Sequence, residues 1–232
     1  MEYYYSDIPV SGNKIILLEE EHTHCSRVKR HKQGDIIFIL DGKGTQFDAE
    51  ISEIRRNETI LTVLEKTVEN PFKTEKIIAI SPTKNPSRLE WFVEKATEIG
   101  ATSIIFVQCE RTDKKTLKAD RLKKITVSAL KQCGRKFLPN LHFISSLQEV
   151  NHCIRLKDFQ KYIAHCRQNE DHMMKKVDSS KNQIILIGPE GDFTDSEILW
   201  ALNNSFMPVS LGSNRLRTET AGLYALVCMG LN

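Results

Sequence analysis

The sequence predicts an α/β protein, with a small β domain ahead of a larger domain of alternating strands and helices. Three observations predict it. Residues 1–70 hold short runs rich in Ile, Val, Phe and Thr, separated by Gly and Asn turns. From residue 76 such runs alternate with helical stretches. Between the two regimes, Glu69-Asn70-Pro71-Phe72-Lys73 reads as a linker, because proline is unsuited to a central strand.

In the first region, strands are expected at 14–18, 35–40, 45–54 and 59–66, spaced as in a small barrel. A basic stretch at 22–32 reads as helix. The Tyr3-Tyr4-Tyr5 run either stacks bases or forms a strand of mixed burial. His22, His24 and Cys25 lack a matching second pair of ligands, so no metal is expected.

In the second region, strands are expected at 76–81, 102–108, 162–166, 183–187 and 208–211. Helices are expected at 87–99, 119–133, 195–203 and 219–230. The first of these helices carries Leu89, Phe92, Val93, Ala96 and Ile99 on one face and stops at Gly100. The alternation implies a largely parallel sheet covered on both faces. Residues 167–182 are polar and aperiodic and read as a loop.

The 232 residues suffice for a core without disulfides or metal. A hydrophobic share of 40% with 27% charged residues is ordinary for a globular chain. Net charge is only +3, so any nucleic-acid role must rest on where the basic residues sit. The six cysteines form no Cys-x-x-Cys pair, which reads as reduced, mostly buried thiols in a cytoplasmic protein. The N-terminus lacks a signal-peptide pattern, and no apolar run is long enough for a bilayer, so no membrane association is expected.

Two segments carry the chemistry. In Ile184-Ile185-Leu186-Ile187-Gly188-Pro189-Glu190-Gly191 a buried strand enters a glycine turn, and Thr194 with Glu197 forms a capping box for the helix that follows. The carboxyl end of a parallel strand is where such folds bind ligands, although a plain well-capped turn would read the same. The turn has neither the dinucleotide fingerprint nor the lysine of a P-loop. The second segment, Leu211-Gly212-Ser213-Asn214-Arg215-Leu216-Arg217-Thr218-Glu219-Thr220, runs from a strand through a glycine loop into a helix that Thr218 is expected to cap. Two arginines ahead of a helix N-terminus suit an anionic ligand or developing negative charge.

Together with Arg88-Leu89-Glu90-Trp91, the run Glu94 through Gly100, Glu110-Arg111 and Gln132-Cys133-Gly134-Arg135, these segments resemble the RsmE-type 16S rRNA (uracil-N3)-methyltransferases of the SPOUT superfamily. In residues 1–70 the likeness rests on His22-x-His24, Arg27-Val28-x-Arg30, Gly34-Asp35 and Asp41-Gly42-Lys43-Gly44. The resemblance implies a PUA-like RNA-binding β-barrel at 1–70 and a trefoil-knotted α/β methyltransferase domain at 74–232. It implies a homodimer that uses S-adenosylmethionine to methylate N3 of a uridine in the 16S rRNA of the small ribosomal subunit, without metal.

The resemblance also assigns residues. Ala164, Gly188, Pro189, Glu190, Gly191, Leu211, Gly212, Leu216 and Thr218 are expected to bind the cofactor, with 164–166 as a third wall. Arg217 is expected to stabilise the charge on the uracil oxygens, and Glu219 to act as an orienting acceptor. Arg215 is left as a phosphate contact or a solvated charge. Arg27, Lys29, Arg30, Lys32, Arg88, Arg111 and Arg135 form the expected RNA footprint. Two departures from the family pattern stand out: Asp192 occupies a position where glycine is common, and Glu2 with three tyrosines occupies an N-terminus where arginine is common.

Overall fold

The computed structural model describes residues 2–113, 116–166, 172–173 and 176–230. Most of the first half of the expected 167–182 loop therefore lies outside the described residues. The chain divides into two compact units, Met1–Pro71 with Val127–Leu138, and Phe72–Thr126 with Pro139–Asn232.

The first unit is a mixed sheet of β1 (Tyr3–Tyr5), β2 (Lys14–Leu18), β3 (Ile36–Leu40), β4 (Thr45–Ile54) and β5 (Glu58–Val68), in the order β1-β3-β4-β5-β2. Only the β1–β3 pair is parallel. β4 alternates inward and outward residues over most of its length, as a half-buried strand must, and register shifts at Asp48/Ala49 and Ile51/Glu53 bend it. The tyrosine run is strand β1, and Tyr4 is fully buried beside the His24 and His31 rings, so it is unavailable for base stacking.

The expected helix at 22–32 starts earlier and ends earlier. It comprises α1 (Glu19–Thr23) and a wider turn at His24–Val28, and it cannot continue past Arg30, whose φ is +57°. His22 is buried, with Nδ1 2.8 Å from the Thr59 hydroxyl, and is a core histidine. Residues 134–138, counted with this unit, pair with the β3–β4 turn: the Gly44 N–H donates to Lys136 O and the Leu138 N–H to Gly42 O.

The second unit is built on a wholly parallel sheet. Its strands are β6 (Lys76–Ile80), β7 (Ser103–Val107), β8 (Asn140–Ile144), β9 (Phe159–Ala164), β10 (Asn182–Ile187) and β11 (Met207–Val209), in the order β11-β9-β10-β6-β7-β8. Its helices are α2 (Pro86–Ile99), α3 (Ala119–Cys133) as far as Thr126, the short α4 (Val150–Cys153), α5 (Asp195–Asn203) and α6 (Thr218–Gly230). Alternate residues of β6 show the two covered faces. Ile78 and Ile80 pack with Leu89, Phe92, Leu226 and Met229 from α2 and α6, and Ile77 and Ala79 share the opposite core with Val150, Ile198 and Ala201. β10 lies between β6 and β9, both of which precede it in the chain.

The long helices end as the sequence implies. The Asn85 side chain caps α2 by accepting from the Ser87 N–H, Pro86 fills its first turn, and Gly100 closes it at φ +113°. Ile99 was expected on the packed face but is 42% exposed, and Thr97 is buried instead. β8 and α4 escaped the sequence reading, because a short edge strand of mixed burial and a four-residue helix carry little periodicity. Of the six cysteines, Cys25, Cys109 and Cys228 are buried, while Cys133 and Cys166 are exposed. Among the described residues no helix is long and apolar enough to cross a membrane.

Gly222 sets the approach of α6. A Cβ there would lie 2.7 Å from Phe92 Cε2 and 3.1 Å from Ile80 Cδ1, both in the core. Gly222→Ala should therefore forfeit the ~1 kcal/mol that this exchange gains in an open helix and end with a net loss of about 1 kcal/mol or more from overpacking. Denaturant unfolding checks the sign, and a stabilised variant would contradict the packing.

Candidate active site

The carboxyl ends of β6, β7, β9, β10 and β11 open on one edge of the second unit, and the loop after β10 is the hub. Gly188 and Gly191 are the residues expected to let this loop's backbone approach a ligand closely. Neither has a positive φ; the left-handed residue is Asp192, at φ +62°. Gly188 is needed for space, since a Cβ there would meet the Phe193 ring at 3.1 Å.

Each neighbouring strand end fastens this hub. After β6, the Lys84 N–H donates to Glu190 Oε1 at 3.1 Å. After β7, Arg111 Nη1 donates to Gly191 O at 2.8 Å and the Glu110 N–H donates to Glu197 Oε1 at 2.9 Å. Glu197 also completes the predicted capping box with Thr194. After β9, the Cys166 N–H donates to Asp192 Oδ2 at 3.0 Å. After β11, Arg215 Nη2 donates to Glu190 O at 2.8 Å and the Thr218 hydroxyl donates to Gly188 O at 3.1 Å.

These contacts revise several expectations. Thr218 is the first residue of α6 and its hydroxyl binds the hub, so the expected cap is replaced by a tie between loops. Arg215 is exposed, and one of its donors braces the Glu190 carbonyl, a tie that its sequence position did not announce. Arg111 lies along Gly191 with its guanidinium on that residue's carbonyl. Arg135 is counted with the first unit and is half-buried, and burial holds its guanidinium below the usual range.

A cleft of about 250 Å³ opens between the hub and the start of α6. Of the expected cofactor residues, Ala164, Gly188, Pro189, Glu190, Leu216 and Thr218 line it, and so does Arg217. Gly191, Leu211, Gly212 and Glu219 do not. Gly212 stands just outside, at φ +130°, a conformation in which a side chain would be strained. Cys166, Ile187, Asp192 and Ala221 also line the cleft. The sequence signal for Cys166 was its place after the β9 end, and for Asp192 its place in the glycine loop.

Charge is distributed unevenly around the cleft. Glu190 and Asp192 contribute carboxylates, and Arg215 and Arg217 contribute guanidiniums. Arg217 is exposed and, among the described residues, has no ion-pair partner within the second unit. Glu219 is only 6% exposed, with its Oε1 3.7 Å from Arg88 Nε. Burial raises the Cys166 thiol pKa, the Asp192 charge adds to the rise, and Arg215 opposes it. Among the described residues no His, Cys, Asp or Glu cluster is arranged to hold a metal.

In the first unit, Arg27, Lys29, Arg30 and Lys32 are all exposed. Lys29 pairs with Glu2 at 2.9 Å, so the unusual acidic N-terminus occupies part of this basic surface.

Comparison with known proteins bears on what fills the cleft. Residues 69–230 match the family described as the RNA methyltransferase domain. The ribosomal RNA small subunit methyltransferase E of Bacillus subtilis is 31% identical over 89% of this chain and 86% of its own. A solved structure of a probable rRNA-methyltransferase from Porphyromonas gingivalis superposes with a TM-score of 0.90 and 33% identity, covering 99% of this chain and 97% of that one. A ribosomal RNA small subunit methyltransferase E from Neisseria gonorrhoeae, solved bound to S-adenosyl methionine, gives a TM-score of 0.84 and 26% identity over 99% and 96% of the two chains.

The hydroxyl tie is testable without a ligand. Thr218→Val keeps the shape and removes the donor to Gly188 O, and should cost about 1 kcal/mol of stability. Amide exchange across residues 188–193 should accelerate. Exchange rates equal to wild type would show that the tie does not hold the loop.

Proposed function

This chain belongs to the RNA methyltransferase domain family, and on that premise we propose that it methylates N3 of a uridine in the 16S rRNA of the small ribosomal subunit, using S-adenosylmethionine. The observation that carries the proposal is the cleft itself. Backbone from the β9, β10 and β11 ends encloses it, carboxylates are available to a cationic ligand, and Arg217 stands exposed on its wall.

The residues present suit such a cofactor. Ala164, Gly188 and Leu216 give it backbone and apolar walls, with Leu211 and Gly212 flanking, and Glu190 and Asp192 suit a cationic sulfonium. S-adenosylmethionine supplies an electrophilic methyl group. As the uracil N3 proton leaves, negative charge spreads onto the ring oxygens, and Arg217 donates hydrogen bonds to it. Glu219 acts through Arg88, whose guanidinium it orients. Arg111 and Arg215 hold the hub, which keeps the reacting groups in register.

The same reading covers the whole chain. Residues 1–70 form a PUA-like barrel, supported by the mixed sheet, with Arg27, Lys29, Arg30 and Lys32 as its RNA contacts. Residues 74–232 form the knotted methyltransferase domain, supported by the insertion of β10 between β6 and β9. The enzyme acts in the cytoplasm as a homodimer, supported by the exposed Trp91 and Ile99 of α2 and Val227 of α6. No metal takes part.

Arg217→Ala decides the mechanism. Methylation of small subunits should fall about 100-fold or more, read as loss of the reverse-transcriptase stop that N3 methylation causes. The thermal shift on adding S-adenosylmethionine should persist. Near-normal activity with cofactor binding intact would overturn the role of Arg217.

A further inference from the structure

One cleft wall is fastened by the Asp192 carboxylate, which does more there than suit a cationic sulfonium. Asp192 holds φ +62°, a backbone region that glycine enters freely and that Asp and Asn tolerate better than other side chains. Its own N–H donates to Pro189 O at 2.9 Å. Its carboxylate divides between two donors. Oδ1 accepts from the Phe193 N–H at 2.9 Å, inside the hub, and Oδ2 accepts from the Cys166 N–H at 3.0 Å, beyond the end of β9.

Both Asp192 and Cys166 line the cleft. The carboxylate therefore joins the β9 wall to the hub across 26 residues of chain. A glycine at this position would satisfy the backbone angle and make no such link. The carboxylate also adds a fixed negative charge to the cleft, and that field reaches the neighbouring Cys166 thiol.

The charge bears on the two forms of the cofactor. The methyl donor carries a sulfonium, an ammonium and a carboxylate, for a net charge of about +1; the thioether product has lost the sulfonium charge and is about neutral. The two are otherwise nearly alike in shape. A fixed anion on the wall acts on the difference between them.

We propose that Asp192 is a positioning residue that clamps the Cys166 wall to the hub, and that its charge makes the cleft favour the sulfonium donor over the thioether product. The proposal rests on the S-adenosylmethionine reading above.

Two substitutions in the full chain separate clamp from charge. Asp192→Asn keeps a side chain that tolerates positive φ and keeps one acceptor oxygen, but loses the charge. Asp192→Gly relaxes the backbone and removes both. Binding of S-adenosylmethionine and S-adenosylhomocysteine is measured by calorimetry, alongside the ligand-free melting temperature.

Asp192→Asn should weaken the donor about 5-fold and the product less than about 2-fold. Asp192→Gly should weaken both by about 10-fold while the ligand-free melting temperature falls by no more than about 5 °C, because relief at positive φ offsets part of the two lost hydrogen bonds. Equal weakening of both ligands in Asp192→Asn, or none, overturns the charge preference. Wild-type affinity in Asp192→Gly overturns the clamp, and a larger fall in its ligand-free melting temperature reassigns Asp192 to general stability and overturns the positioning role. A wild-type protein that binds neither ligand would instead sink the reading on which the proposal rests.

Discussion

The site depends on the hydrogen bonding of one short loop, Gly188 to Asp192. Backbone carbonyls leaving a buried strand need partners, and here the partners come from neighbouring strand ends. Gly188 O accepts from Thr218, Glu190 O from Arg215 and Gly191 O from Arg111. The Glu190 and Asp192 carboxylates add Lys84 and Cys166. Loops that would otherwise move separately become one piece. A methyl transfer needs two reactants held in line, and a rigid set of backbone groups can hold a cofactor that way with no mobile side chain.

The same bonding sorts the arginines. A guanidinium that donates to a backbone carbonyl at 2.8 Å, as Arg111 and Arg215 do, already has a use for its charge and its planar fork. Arg217 follows Arg215 by two residues and has no such carbonyl, which leaves its donors for what enters the cleft. The sequence singled out Arg217 and left Arg111 and Arg215 as RNA, phosphate or solvent contacts. The path of the loops adds that these two brace the hub.

Much of the fold was legible because its signals are local. The β6 and β10 strands are continuous apolar runs, α2 has a proline start and a glycine stop, and Thr194 with Glu197 announces α5. What was not legible depends on partners distant in sequence. Thr218 reads as a cap until Gly188, 30 residues away, is seen to take its hydroxyl. The tyrosine run reads equally as a base-stacking surface or a strand of mixed burial until β1 pairs with β3 and buries Tyr4. The segment 127–138 reads as part of the second domain, yet it packs with the first unit, where a Cβ on Gly44 would lie within 2.3 Å of the Phe137 ring. For the cleft, the main segments and the 164–166 wall were readable from strand order, whereas the bond from Cys166 to Asp192 required three-dimensional proximity.

The start of α6 shows what holds the backbone that carries Arg217. Thr218 is buried and tied to Gly188, and Glu219 beside it is buried and faces Arg88. Successive residues of a helix point about 100° apart, so these two anchors fix both the height and the rotation of the first turn. A buried carboxylate left without a cation is costly, so Arg88 near Glu219 offsets part of that cost. In the proposed mechanism Glu219 serves by being fixed, and solvent scarcely reaches it to exchange a proton. The residue immediately before this doubly anchored turn has its backbone held in place, and that residue is Arg217.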